Sequence, residues 1–201
     1  MTTSLQTDLQ EIYRAIKSYL KHPVQEIRKL PNWEWRRVIL AQVIVTVICG
    51  FLTGLIFRSP LNMLMGMFVT PIIALLVAMI SSLVFFYTFQ IVSEKLIELR
   101  LIFTAVFFAN VPFFLFQIIV GLFPPISLVG LAFTALLLIV AFVDNFQLSR
   151  KFVTRLIAGI YIVMVLTYVL AWYTSSHSAE HWHPVEESAP NVKLGDEPKA
   201  H

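Results

Sequence analysis

Charged residues are scarce in this chain of 201 residues, since Asp, Glu, Lys and Arg together make up only 13% of it. Hydrophobic residues make up 58%, and the mean hydropathy is +0.78. An average soluble domain carries about 25% charged residues. The composition therefore excludes an ordinary soluble protein and indicates a chain that lies in a bilayer.

Cysteine is nearly absent as well. The single cysteine, Cys49, excludes an intramolecular disulfide and a cysteine-based metal cluster, so we expect it to be a small packing residue. No HExxH, GxSxG or glycine-rich phosphate loop occurs, and the apolar segments show no nucleophile beside a base. We predict a protein that is not an enzyme and that uses no cofactor.

Long apolar runs dominate what is present. A membrane span needs roughly 20 apolar residues, and five runs reach that length: 38–57, 61–92, 101–123, 126–147 and 156–173. The predicted fold is all-α, a polytopic membrane helical bundle of five transmembrane helices with an N-terminal amphipathic helix. The second run would measure about 48 Å as a helix, so we expect Pro71 to kink it or to separate an interfacial stub, residues 61–70.

Lysine and arginine are distributed unevenly around these runs. Twelve lie on the side of the amino terminus and three on the other side. The positive-inside rule predicts a cytoplasmic amino terminus and an external or periplasmic carboxyl terminus. We expect no cleavable signal peptide, because the first apolar run begins only at Val38.

Residues 1–37 are predicted to form a cytoplasmic amphipathic helix and an interfacial anchor. In "TSLQTDLQEIYRAIKSYL", apolar residues recur every three or four positions, so one helical face is apolar. Such a helix can lie on the membrane surface, pack on the cytoplasmic ends of the spans, or bind a partner protein. The anchor combines indole rings at headgroup depth with guanidinium groups in water: Trp33, Trp35, Arg36 and Arg37.

Anionic lipid headgroups are the expected partners of the basic residues. Close cations contribute roughly 1 kcal/mol each to such binding, and three more lie in the amino-terminal segment: Lys21, Arg28 and Lys29. Nucleic acid is not expected as a partner, because the basic residues border spans instead of forming a free basic domain.

Several stretches resemble one protein family. "HPVQEI" and "LPNW" follow a short helix and lead into five spans, and "FTAVFFANVPFFLFQII" at 103–119 is similar to the family's third-span pattern through Ala105, Ala109 and Pro112. Over roughly residues 20–175 the chain resembles the bacterial branch of the Yip domain family, whose eukaryotic relatives interact with Ypt/Rab GTPases. The resemblance implies a multi-span membrane protein without an established chemistry.

Polar side chains inside the spans are few. A charge at the bilayer centre costs at least about 2.5–3.5 kcal/mol, so we expect Asp144, near the cytoplasmic end of span four, to pair with Arg150 or Lys151. Asn110 and Gln117 are the other intramembrane polar residues.

Proline affects the same region. Pro112 is expected to kink span three and to free the carbonyl of Phe108. The amide of Asn110 or Gln117 would then bond such freed groups, or reach another span at Gln42 or Thr46.

Residues 174–201 are predicted to be a disordered external tail, polar and rich in Pro and Ser, behind a transmembrane domain at 38–173. His177, His181 and His183 are weak candidates for metal ligands. Their irregular spacing and the nearby Pro184 favour a solvated tail, so we expect no metal site.

The predicted function is that of a non-catalytic membrane scaffold or organiser, which binds a partner through its cytoplasmic helix and basic inner loops. The alternative is a small transporter or channel subunit with a polar path near Asn110, Gln117 and Asp144. A third hypothesis is a metal-responsive protein that uses the histidines of its tail. The sequence is compatible with a protein partner at the cytoplasmic face and with assembly into a homo-oligomer.

Overall fold

The computed structural model describes residues 2–58, 60–94 and 96–178. Two compact units, Met1–Val163 and Met164–His201, divide the chain. The predicted all-α helical bundle is confirmed, since the described residues form no strand and these seven helices: α1 (Thr2–Lys21), α2 (Pro23–Glu26), α3 (Trp35–Ile56), α4 (Pro60–Ser93), α5 (Leu99–Gln117), α6 (Ile126–Phe146) and α7 (Arg150–Ser178).

Five of these helices, α3 to α7, are long and apolar enough to cross a membrane. The second apolar run forms one uninterrupted helix, so residues 61–70 continue into the rest of α4 and no stub is separated at Pro71. Pro112 likewise lies inside α5. Each helix therefore continues past a residue that lacks a backbone donor, and the kink expected at each proline stays a prediction.

Two helices differ from their predicted bounds. α5 ends at Gln117 instead of residue 123, because the backbone tightens there into bonds between residues three apart, such as the Ile118 amide to the Leu115 carbonyl at 3.3 Å. α7 covers Arg150–Ser178 instead of 156–173, so its last residues include the first five of the predicted tail. Hydropathy places apolar runs but does not mark helix ends.

α5 is the central helix of the bundle. All eight residues from Ile102 to Ala109 are buried, and α3, α4 and α6 all contact the helix. In a bilayer, lipid tails are as apolar as leucine, so helices associate through close packing and hydrogen bonds instead of hydrophobic burial. The dense packing around α5 therefore holds the spans of the first unit together.

α3 and α4 approach each other most closely at glycine. The stretch "GFLTG" places Gly50 and Gly54 on one face of α3, and Gly50 faces Gly66 of α4. A Cβ added to Gly50 would lie 3.0 Å from the Gly66 Cα and closer still to its carbonyl. The missing side chains therefore allow backbone-to-backbone contact between the two helices.

This contact predicts that Gly50→Ala destabilises the bundle. The added methyl has no room unless α4 moves away, and overpacking of this kind costs about 1–3 kcal/mol. Gly159→Ala is the matched control, because nothing lies within 4 Å of a Cβ built at Gly159 in α7. The free energy of unfolding in detergent should fall for the first variant only, and equal values for both would contradict the close contact.

Candidate functional site

One end of the bundle is assembled by polar contacts between segments far apart in sequence. Asn145, at the end of α6, accepts a hydrogen bond from the Leu30 amide at 3.1 Å and donates one to the Ile27 carbonyl at 2.8 Å. Arg100, in the first turn of α5, donates to the Asn32 side chain at 2.8 Å. The amino-terminal segment therefore meets α5 and α6 at this end, which we call the basic end.

Asp144 lies at the basic end and pairs with Arg28, whose Nε is 3.1 Å from Asp144 Oδ2. An ion pair was predicted for this carboxylate, but with Arg150 or Lys151 as the partner. The backbone bonds of Asn145 hold the segment that carries Arg28 against α6, so Arg28 reaches Asp144. Asn145 was not among the predicted site residues, although an amide at the end of an otherwise apolar helix is a usable signal.

α1 is attached to the bundle by one apolar face and one arginine. Ile12 and Tyr19 are buried, with 2% and 1% of their surface exposed. Arg37, in the first turn of α3, pairs with Asp8 at 2.7 Å and also with Glu11. Of the three positions that the sequence left open for α1, the structure therefore shows packing on the spans.

The predicted interfacial anchor needs correction at two of its four residues. The Trp33 ring is enclosed by protein, with its centroid 5.5 Å from that of Phe108. The guanidinium of Arg37 is held by the two carboxylates of α1, while Trp35 is half-buried and Arg36 is exposed. The reason is that α1 and the linker between α1 and α3, residues 22–34, cover this side of the spans. The Trp33 ring and the Arg37 guanidinium, expected among lipid headgroups, therefore pack on protein.

The Tyr19 hydroxyl is buried and has no hydrogen-bond partner among the described residues. Its ring lies 5.3 Å from that of Phe108, between centroids. Desolvation by burial raises the pKa of Tyr19 above its ordinary value, because the phenolate would lose its hydration. The fold therefore holds this side chain in its protonated form.

Cations dominate the exposed surface of the basic end. Four of the carboxylates there are paired with arginine: Asp8 and Glu11 with Arg37, Glu98 with Arg100, and Asp144 with Arg28. Two exposed carboxylates, Glu34 and Glu94, form no ion pair among the described residues. Eight exposed cations, by contrast, have no carboxylate within salt-bridge distance in the described part of the chain: Arg14, Lys17, Lys21, Lys29, Arg36, Arg150, Lys151 and Arg155.

A second candidate site is a cavity of about 520 Å³ between α3, α4 and α5. Its walls include the closely packed Gly50 and Gly66, the thiol of Cys49, and five polar residues: Thr46, Thr53, Thr70, Asn110 and Gln117. The structure thus brings the predicted residues Asn110 and Gln117 into one site. Asp144 does not line this cavity but lies at the basic end, so the predicted path through all three residues stays a prediction.

The two amides in the cavity are free to bind a ligand. Within the described residues, the side chains of Asn110 and Gln117 form no hydrogen bond, whereas Thr46 donates to the Gln42 carbonyl of its own helix at 2.8 Å. Gln42 donates to the Ala74 carbonyl at 3.5 Å, so the predicted bond from Asn110 to Gln42 or Thr46 is not formed.

The cavity suits neutral polar groups. None of the described residues that line it is acidic or basic, so it offers amide donors and acceptors but no charge. A search of the described residues finds no group of three His, Cys, Asp or Glu residues that could hold a metal ion. The side chain of His177 and all of His181 and His183 lie outside the described residues, so the metal prediction for the tail stays a prediction.

Comparison with models of known protein families, with curated proteins and with solved structures found no match to this chain. The resemblance to the Yip domain family therefore stays a prediction. The geometry of the basic end and of the cavity carries the functional inference.

Substitution by leucine should have different effects on stability at the two asparagines Asn110 of α5 and Asn145 of α6. Asn145→Leu removes the bonds to Leu30 and Ile27 and should lower the free energy of unfolding by about 2–4 kcal/mol. Asn110→Leu removes an amide without a partner, so stability should change by less than about 0.5 kcal/mol or rise. Denaturation in detergent measures both, and a large loss for Asn110→Leu would show that this amide is bonded after all.

Tyr19 predicts a specific response to alkaline pH. The unfolded chain ionises this group near its ordinary value of 10.0 while the folded chain keeps it neutral, so folding binds the proton and stability falls as the pH rises above that value. Tyr19→Phe should remove this loss, at most about 1.4 kcal/mol per pH unit. It should also raise stability at neutral pH, because an unpaired buried hydroxyl disappears.

The matched control is Tyr13→Phe on the same helix, whose ring is 65% exposed. Its unfolding should follow the unsubstituted protein at neutral and at alkaline pH. If Tyr19→Phe and Tyr13→Phe gave the same pH profile, the buried position of Tyr19 would be contradicted.

Proposed function

We propose that this chain is a non-catalytic integral membrane protein of the Yip-like type, which acts as a scaffold and binds a partner protein at its basic end. The main support for this proposal is the arrangement of charge at the basic end. Four carboxylates are paired with arginine while eight cations are exposed without such a partner in the described residues. A surface of this kind attracts and orients an acidic partner surface.

The proposed location is a bacterial inner membrane with the basic end in the cytoplasm. The five candidate spans and the excess of Lys and Arg at one end support this orientation. An odd number of spans leaves the amino and carboxyl termini on opposite sides, so the tail after α7 is proposed to be external.

The first turns of α7 are the best place to test partner binding. Arg150, Lys151 and Arg155 are exposed at the basic end and, among the described residues, form no ion pair with α1, so they can be changed without disturbing that helix. Thr154 is exposed among them and offers a position for a photoreactive residue.

The experiment is crosslinking in intact membranes from a photoreactive residue at Thr154. A specific protein should be captured, and the triple variant Arg150→Gln, Lys151→Gln, Arg155→Gln should reduce its capture by about tenfold or more, because the charge that attracts the partner is gone. Arg58→Gln, in the turn between α3 and α4, is the control and should leave capture unchanged. A tag on the amino terminus checks that the orientation is preserved in each variant.

Equal capture by the triple variant and by the control would overturn the scaffold proposal. A second candidate function, passage of a small neutral solute, is favoured by the free amides of Asn110 and Gln117 in the 520 Å³ cavity. Solute uptake into proteoliposomes that Asn110→Leu abolishes, without charge-dependent capture at Thr154, would replace the first function by the second.

A further inference from the structure

A groove of about 330 Å³ lies between α1 and the facing sides of α3 and α5. Its walls include Leu9, Tyr13 and Leu20 of α1, Ile48 of α3 and Leu115 of α5, and none of the described residues that line it is charged. The apolar lining suits part of one hydrocarbon chain.

The groove is open to the outside of the bundle. The five residues named above are each between 40% and 65% exposed, on helices that carry the spans or pack against them. A lipid tail can therefore enter from the side, without a conformational change of the bundle. The side chain of Ile12 closes the groove towards the protein, since it is buried.

Charge is segregated around α1 on the two sides of this groove. Asp8 and Glu11 each precede a groove residue by one position, whereas Arg14, Lys17 and Lys21 each follow one. One residue along a helix is a rotation of about 100°, so the acids and the bases flank the groove on opposite edges.

The two edges have different partners. Asp8 and Glu11 are paired with Arg37, so their charge is neutralised within the protein. On the other edge, the Lys17 ammonium lies 5.7 Å from the centroid of the Tyr13 ring, which places a cation along the rim of the groove. This rim is therefore positive beside an apolar groove.

We propose that this groove binds one anionic phospholipid, with an acyl chain between α1, α3 and α5 and the phosphate on Arg14, Lys17 and Lys21. The apolar lining accounts for the chain, and the three cations on one edge account for the headgroup. Arg14, Lys17 and Lys21 are among the eight exposed cations of the basic end, but none of them belongs to the α7 cations whose variants test partner binding. Each proposal can therefore fail without the other.

The test uses the purified full-length chain in nanodiscs of phosphatidylcholine. A phosphatidylglycerol with a photoreactive acyl chain is added, and the labelled residues are mapped by mass spectrometry. Label is expected on the groove residues of α1 and at Ile48 and Leu115. Unlabelled phosphatidylglycerol should compete at least about tenfold better than added phosphatidylcholine.

Two variants separate the headgroup from the chain. The triple variant Arg14→Gln, Lys17→Gln, Lys21→Gln should abolish the preference for phosphatidylglycerol, with the α7 triple variant as its charge-matched control. Ile48→Trp should fill the groove and reduce labelling several-fold with either lipid. Ile72→Trp, at a 61% exposed position of α4, should not.

Four results would overturn the proposal. The first is label spread evenly over the exposed apolar surface of α4, and the second is an equal effect of the two triple variants. The third is full competition by glycerol phosphate alone, which would show an anion site without a chain. The fourth is a crosslink through the groove between two copies of the protein. Unfolding curves that match the unsubstituted protein establish that the variants are folded.

Discussion

The contact of Arg37 with Asp8 and Glu11 determines how the amino-terminal part of this protein is organised. The Arg37 guanidinium lies in the first turn of α3, where a counter-charge lowers the cost of holding a cation close to hydrocarbon. The two carboxylates of α1 supply it. The same contact removes the only acids from one flank of α1, so the exposed charge of this helix is positive, and it holds the apolar face of α1 over α3 and α5. Together with the buried Ile12 and Tyr19, this contact fixes the position of α1 above the groove.

The larger cavity has a different origin, in the backbone of the helices around it. Gly50 and Gly66 bring α3 and α4 into contact, and the cavity borders that contact on the side of α5. Pro71 and Pro112 lie in the two helices opposite α3 and deprive each of one intrahelical hydrogen bond. Side-chain amides without a partner in the described residues therefore lie near helices that each lack one backbone hydrogen bond. Inside a membrane, polar groups usually form hydrogen bonds within the protein.

Much of the fold could be predicted from the sequence because a bilayer imposes a length on each span. The starts of α3 and α6 follow from hydropathy to within three residues. The end of α5 does not, because residues 118–123 are as apolar as the helix before them and only the backbone bonds show the turn. The spacing of Gly50 and Gly54 is typical of close helix packing, but the overall composition does not reveal it.

The sites were less predictable than the helices. Asn110 and Gln117 were recognisable as rare amides in apolar runs, but their common cavity depends on which helices are neighbours. Trp33 shows the opposite error, since its position before a span is typical of a lipid-facing ring and the structure buries it under α1. A pattern along one helix does not reveal what a second helix covers.

α4 carries a mechanical consequence for the surrounding lipid. Its 34 residues extend about 51 Å, against about 30 Å of hydrocarbon in an average bilayer. Exposed apolar side chains continue to Ile91 and Val92 near its last turn. The excess length must be accommodated by inclination of the helix or by a locally thicker leaflet, each of which costs energy in proportion to the mismatch. A change in membrane thickness would therefore change the preferred tilt of α4. Because α4 touches α3 at Gly50 and Gly66, α3 would be affected as well.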